Sequence, residues 1–281
     1  MKTFLKHTLL LLSIVLTSCT DVIDVDVPVA APRLVIEASI DWEKGTLGNN
    51  QTIKLSTSTP YFSDQTNNSV AGASVKVINN TDNTEFVFID QNDGTYSISN
   101  FVPIIGNSYT LEVLYDGQVY TAHETFIPVT DIANLYQSTE DGFESEALEV
   151  NVDFDDPANE ENFYLFKFQE QGDLLPELLD ISDEFTNGNT MTIFFEKGED
   201  EDLNQEEFVP GDVVDIKMYG VSEAYSNYIR LLIEQYDSVG DPFSSTPAAL
   251  RGNCINPANP DNYAFGYFRL TQVVKASYTF Q

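Results

Sequence analysis

Cysteine, histidine, tryptophan and positive charge are all scarce in this chain. Its 281 residues hold two cysteines, two histidines, one tryptophan and 13 Lys plus Arg against 45 Asp plus Glu. The low positive charge excludes nucleic acid as a partner, because a formal charge of −32 repels a phosphate backbone. Two cysteines cannot build a disulfide framework or a Cys/His zinc cluster. No run of about 20 apolar residues is present to span a bilayer as a helix. There is no glycine-rich phosphate loop. Cores are nevertheless affordable, since 42% of residues are hydrophobic and 12% aromatic, with 19 Phe and 14 Tyr.

What is present begins at the amino terminus. Lys2 and Lys6 precede the apolar stretch Thr8 to Leu16, and Leu16-Thr17-Ser18 leads directly to Cys19. This is a secretory signal with a core too short to be a membrane anchor, and no good small-x-small site competes with the cysteine. The stretch resembles a bacterial lipobox. Residues 1–18 are then a lipoprotein signal peptide, and Cys19 becomes the lipidation site, carrying a diacylglycerol on its sulfur and an acylated amino terminus. Acyl chains anchor durably, since each buried CH₂ contributes about 0.8 kcal/mol. Loss of Lys2 and Lys6 leaves 11 basic residues facing 45 acidic ones, a net charge near −34. Residues 19–32 read as an acidic tether with Asp21, Asp24 and Asp26. Thr20, rather than Asp, at the second mature position argues against inner-membrane retention. The early acidic residues resemble the surface-export tag of Bacteroidetes lipoproteins. The expected location is the outer membrane, lipid-anchored, with the cell-surface face favoured over the periplasmic one.

From 33 to 128 the chain alternates at period two. Leu34, Ile36, Ala38 and Ile40 share one strand face, followed by Ile53/Leu55, Ala73/Val75/Val77, Phe86/Phe88, Tyr96/Ile98 and Tyr109/Leu111/Val113/Tyr115. Asp116-Gly117 is a two-residue hairpin turn returning through 118–126. This predicts an immunoglobulin- or transthyretin-like β-sandwich. Ile127-Pro128-Val129-Thr130 is the expected boundary. Residues 129–281 predict a second β-rich, sandwich-like domain with strands near 148–154, 163–168, 191–195, 213–218, 263–270 and 273–280. One amphipathic helix is expected near 222–237, with Ser222 as N-cap and a stripe of Tyr225, Ile229, Leu232 and Tyr236, widened by Tyr228 and Leu231. The acidic segments 170–189 and 198–207 read as surface loops. The fold class is mainly β: two sandwich-like domains.

Few residues invite chemistry. His123, the only histidine beyond the signal, sits mid-strand on a polar face. Cys254 has no partner once Cys19 is acylated, and reads as a small buried residue. Asp200, Asp202 and Asn204 have the alternate spacing of a calcium loop, but Gln205 stands where such a loop needs glycine and the closing glutamate is missing. Asp155-Asp156-Pro157 reads as a strand-ending turn. Tyr61-Phe62, Tyr263 and Tyr267 are the aromatics nearest loops. No catalytic residue is expected. Lipid on Cys19 is the expected covalent group, and calcium the alternative ligand of the acidic loop.

Several segments in order resemble one family: Cys19-Thr20-Asp21-Val22-Ile23-Asp24, Pro32-Arg33-Leu34-Val35-Ile36-Glu37, Val70-Ala71-Gly72-Ala73-Ser74-Val75, Asp93-Gly94-Thr95-Tyr96, Asn162-Phe163-Tyr164, Asp241-Pro242-Phe243, and Gly252-Asn253 before Ala264-Phe265-Gly266-Tyr267-Phe268. Together they resemble the Bacteroidetes lipoproteins grouped as domain of unknown function 4249. Ala38-Ser39 departs from the pattern, where a glycine-containing strand end is expected. The resemblance implies an outer-membrane lipoprotein, often encoded beside a TonB-dependent receptor and helping in uptake or surface assembly. It brings no catalytic residues. The expected function is therefore non-enzymatic binding of a ligand or of a TonB-dependent receptor. The alternatives are a surface glycan hydrolase using paired carboxylates, and a structural spacer.

Overall fold

The period-two alternation of the first half becomes a strand pattern with one dry face. A computed structural model describes residues 31–60, 68–144, 146–158, 160–198, 206–238 and 250–281. The first seven strands are β1 (Leu34–Glu43), β2 (Gln51–Thr57), β3 (Ser74–Asn79), β4 (Glu85–Asp90), β5 (Thr95–Ile98), β6 (Ser108–Tyr115) and β7 (Gln118–Thr125). Leu34, Ile36, Ala38 and Ile40 of β1 are buried together with Val75, Val77, Leu111, Val113 and Tyr120. Phe101 packs 4.6 Å from the Phe86 ring at the centre of this core. Asp116 (φ 48°) and Gly117 (φ 69°) make the two-residue turn between β6 and β7, both in the left-handed region that such a hairpin needs.

The second half adds β8 (Ile132–Ser138), β9 (Glu149–Asp155), β10 (Phe163–Glu170), β11 (Glu177–Ser182), β12 (Thr190–Glu196), β13 (Val213–Val221), a helix α1 (Glu223–Asp237) and β14 (Phe265–Thr279). The strands form an eleven-stranded sheet in the order β11-β10-β13-β14-β1-β2-β5-β4-β3-β6-β7, and a three-stranded sheet β12-β9-β8. A second core joins Val150, Val152 and Phe154 of β9 to Phe166 and Phe168 of β10 and to Ile216 and Met218 of β13. Much of the phenylalanine is spent here: Phe168 stacks on Phe195 at 4.7 Å, and Phe208 on Phe280 at 4.5 Å. The opposite face of β10, β13 and β14 carries a third cluster, in which Leu165, Tyr219, Tyr267 and Val273 meet Tyr225 and Ile229 of α1. The chain is mainly β and of sandwich type. Among the described residues no helix is long and apolar enough to cross a membrane.

Three local expectations are corrected. The two terminal strands expected at 263–270 and 273–280 are one strand, β14. Its first part runs parallel to β1, from Val35↔Phe265 to Glu43↔Val273, and its last part antiparallel to β13, from Tyr219↔Val273 to Val213↔Thr279. Thr271-Gln272, which reads as a polar break, is instead buried where the chain crosses between the two cores. Thr271 Oγ1 donates to the Gly220 carbonyl, and Gln272 accepts from Val129 N at 3.2 Å. Residues 32–281 consequently form one compact unit, in which Cys254, Ala264, Phe268 and Leu270 belong to the first core. The acidic stretch 170–189 contains the strand β11. Its Asp180 is not solvated but faces α1, accepting from Ser226 Oγ at 2.7 Å and pairing with Arg230 Nη2 at 3.0 Å. Finally, α1 buries only the Tyr225/Ile229 part of its stripe, while Leu231, Leu232 and Tyr236 are exposed.

Candidate functional site

Strand register assembles a site that linear spacing hides. Lys167 of β10 lies directly opposite Lys217 of β13, which lies directly opposite Lys275 of β14. Their strand neighbours Phe166, Phe168, Ile216 and Met218 are buried in the second core, so the lysines share the other face, beyond the part covered by α1. Together with Gln169, Pro176 and Asp215 they line a pocket of about 260 Å³. Like charges directly opposite one another across strands repel. Lys275 is relieved by Glu43 at 2.5 Å. Among the described residues, Lys167 and Lys217 have no ion pair. Burial, then Arg269 and Lys217, push the Lys167 amine below its ordinary value, against the pull of Asp41. Its Nζ lies 5.4 Å from the centre of the Tyr219 ring. With Asp215 in the lining and Glu43 on Lys275, three lysines still leave this row net positive in a strongly acidic chain, which suits a carboxylate or a phosphoryl oxygen rather than a base or a metal.

Cys19, most of the tether, Tyr61, Phe62 and the calcium candidates Asp200, Asp202 and Asn204 lie outside the described residues. His123 is exposed, with Nδ1 2.8 Å from Thr110 Oγ1. Cys254 is 1% exposed, and burial pushes its thiol up to about 12, so it is no thiolate at neutral pH. The Tyr263 ring is covered by two guanidiniums, Arg33 at 4.2 Å and Arg251 at 4.4 Å. Tyr267 is buried against Tyr225 and Tyr228.

Glycoside hydrolysis needs paired carboxylates, and Glu149 of β9 is the direct cross-strand partner of Glu196 of β12. Each is engaged by the main chain of the loop between β8 and β9. Glu149 Oε1 accepts from Glu140 N and Asp141 N, and Glu196 Oε1 from Phe143 N at 2.6 Å. A Cβ on Gly142 would collide with both carboxylates, at 1.9 and 2.6 Å. Burial raises Glu149, but the Asp141 N–H, Ser138, Asn151 and the Glu140 N–H outweigh it and hold the carboxyl below its ordinary value. A general acid for glycoside cleavage needs the opposite shift. The pair clamps a loop.

The segments that carried the family resemblance do packing work. Asn253 pairs with the main chain of β14 through its side-chain amide, Nδ2 donating to Phe268 O at 2.8 Å and Oδ1 accepting from Phe268 N at 2.9 Å. Gly266 sits at φ 90°, where a Cβ would meet Ile36 O at 2.1 Å, and a Cβ on Gly252 would meet Gly266 O at 1.6 Å. Three backbones thus pass too close for any side chain.

Fold and site together define a sandwich-type β protein with a basic pocket on one sheet face. The chain belongs to the family described as Domain of unknown function (DUF4249), whose model matches residues 20–277. No curated protein matches it. Among solved structures it is similar to a cytokine receptor complex, at 11% identity and a TM-score of 0.27, over 68% of this chain and 92% of that one. A two-domain fibronectin type III segment from chicken tenascin matches at 10% identity and a TM-score of 0.21, over 67% and 90%. A DUF4785 family protein from Legionella pneumophila matches at 10% identity and a TM-score of 0.26, over 66% and 51%. At such scores nothing about function passes to this chain.

Proposed function

We propose that the protein is an outer-membrane lipoprotein of the Bacteroidetes, anchored through acylated Cys19, whose folded body binds an anionic ligand or an acidic patch on a TonB-dependent receptor and catalyses no reaction. The observation that carries the binding reading is the row Lys167-Lys217-Lys275. It sets three like charges side by side, and among the described residues Lys167 and Lys217 have no ion pair on a chain with 45 acidic residues available to neutralise them. The anchoring reading rests on Leu16-Thr17-Ser18-Cys19.

One experiment tests both parts. The wild type, Lys217→Glu and Cys19→Ala forms are expressed in the native host, and the outer membrane is solubilised in detergent. The wild type is expected to co-purify with a receptor-sized outer-membrane protein. Lys217→Glu should remain in the membrane and lose that protein, while Cys19→Ala should lose the membrane itself. A Lys217→Glu form that retains the same companion would sink the binding site, and membrane retention of Cys19→Ala would sink the anchor.

A further inference from the structure

Two loops beside the second core hold a group of oxygens that lack well-formed hydrogen bonds. Asp156 follows β9 and is 6% exposed. Its Oδ1 accepts from the Tyr164 hydroxyl at 2.6 Å, its Oδ2 accepts from Gly188 N at 2.9 Å, and its N–H donates to Asn189 O at 3.1 Å. Asp183 follows β11 and is fully buried. Its N–H donates to Asn162 O at 3.2 Å, and its carbonyl accepts from Thr186 N at 2.8 Å. Main-chain bonds therefore tie Asn162, Asp183 and Thr186 into one knot, and Gly188 ties that knot to Asp156. Yet both carboxylate oxygens of Asp183, Asn162 Oδ1 and Thr186 Oγ1 lack a well-formed hydrogen bond, and all four atoms are closed to solvent.

The charges are equally unbalanced. Burial pushes the Asp183 carboxyl up, the Asn162 N–H opposes the rise, and the charge and side chain of Asp156 add to it. Among the described residues, no Lys, Arg or His forms an ion pair with either carboxylate. Buried polar groups in native proteins are partnered, and buried charges are paired or bind metal. Under-bonded oxygens from three residues, beside two acids that have no ion pair among the described residues, are the kind of group that a cation satisfies. The donor types select which one. Carboxylate, amide and hydroxyl oxygens, without nitrogen or sulfur, suit a hard cation. Irregular loops that supply mixed oxygens suit calcium, which takes six to eight ligands in flexible geometry, better than magnesium, which demands a near-ideal octahedron. No group of three or more Asp, Glu, His and Cys side chains among the described residues is placed to hold a metal, and this set reaches four residues only through its amide and hydroxyl.

We propose that Asp156, Asn162, Asp183 and Thr186 form a calcium site that fastens the loop after β9 to the loop between β11 and β12. The site owes nothing to the anchoring or receptor reading. It uses none of Asp200, Asp202 and Asn204.

The test uses the purified full-length protein in detergent, stripped with EDTA and titrated with CaCl₂ and MgCl₂ by calorimetry, with thermal melts alongside. Calcium is expected to bind and to raise the melting temperature, with an affinity of about 10⁻⁴–10⁻³ M, the range of extracellular calcium modules, and magnesium should do much less. Asp183→Asn, which keeps the shape but removes a buried charge, should raise the melting temperature of the stripped protein and abolish its response to calcium. A purely structural aspartate would give a lower melting temperature instead. Thr186→Val supplies a second variant should Asp183→Asn fail to fold, and should weaken calcium binding about 10-fold or more. Asp202→Asn should leave the calcium response intact. The proposal is overturned if calcium neither binds nor shifts the melt, which would mean that the two acids share a proton. It is equally overturned if Asp202→Asn removes the response or if Asp183→Asn and Thr186→Val leave it unchanged.

Discussion

Arg269 concentrates what single residues do in this fold. Its side chain is 3% exposed, and its guanidinium lies 4.8 Å from the rings of both Tyr219 and Tyr225. Nη2 donates to Asp41 Oδ1 at 2.8 Å, and Nε to Ser39 Oγ at 3.2 Å. One cation thus joins β14 to β1 and to α1. Arg269→Met is expected to destabilise the protein by about 2–3 kcal/mol, less than the ~3–5 kcal/mol of breaking a fully buried pair, because Asp41, with a side chain 34% exposed, can recover water. Urea unfolding at pH 7 measures it, and a loss under about 1 kcal/mol would show that the tyrosines do not hold the charge. Residues of this kind are hard to find in a sequence. Arg269 reads as an ordinary polar strand residue, just as Lys167, Lys217 and Lys275 read as lone lysines among apolar neighbours. Asp183 reads as one acid among 45. Arg269 and the three lysines acquire their roles from partners 44 to 230 positions away, which the fold alone reveals.

Elements were more legible, because their signals are local. The Asp116-Gly117 hairpin, the alternation of β1 and the helix after Ser222 all follow from residues within one turn or one strand. Strand β11 and the continuity of β14 were not legible, because Asp180 and Thr271-Gln272 are polar residues satisfied by distant segments. Ser222 shows how a local signal gains a tertiary load. Its Oγ accepts from Tyr225 N at 3.2 Å as an N-cap should, and also donates to Glu124 Oε2 of β7 at 2.9 Å. Ser222→Ala should therefore cost about 1–2 kcal/mol, the cap together with one hydrogen bond. Aspartate caps helices as well as serine does, yet here it would set a second carboxylate against Glu124. Ser222→Asp is accordingly expected to be less stable than Ser222→Ala at pH 7 and to overtake it as the pH falls. Denaturant midpoints of both variants at pH 7 and pH 4.5 decide this, and an unchanged ranking would contradict the contact.

At the scale of the whole molecule, the acidity and the sandwich architecture were legible from composition and alternation. The sharing of one long strand between two cores was not, since nothing in residues 265–279 announces a change of partner. Acidity and burial together set how stability should vary with pH. Glu124 is half-buried, its loss of hydration raises its carboxyl, and the Thr125 N–H, the Ser222 hydroxyl and the Tyr267 hydroxyl only partly offset that rise. The folded protein then holds the Glu124 proton more tightly than the unfolded chain, whose glutamates titrate near 4.3, taken as roughly the ordinary value. Between that value and the raised one the native state binds more protons, so stability falls as pH rises through the window. Self-repulsion of a chain with formal charge −32 acts in the same direction. The melting temperature should therefore be higher at pH 5 than at pH 7.5. Glu124→Gln keeps the shape and removes the titration, so it should raise stability at pH 7.5 more than at pH 5 and flatten the curve. The surface charge should preserve the remaining slope in that variant. Melting curves of both proteins across this range separate the two contributions. Parallel curves would remove Glu124 from the account and leave the slope to surface charge and to Asp180 and Asp183, whose carboxyls burial also raises.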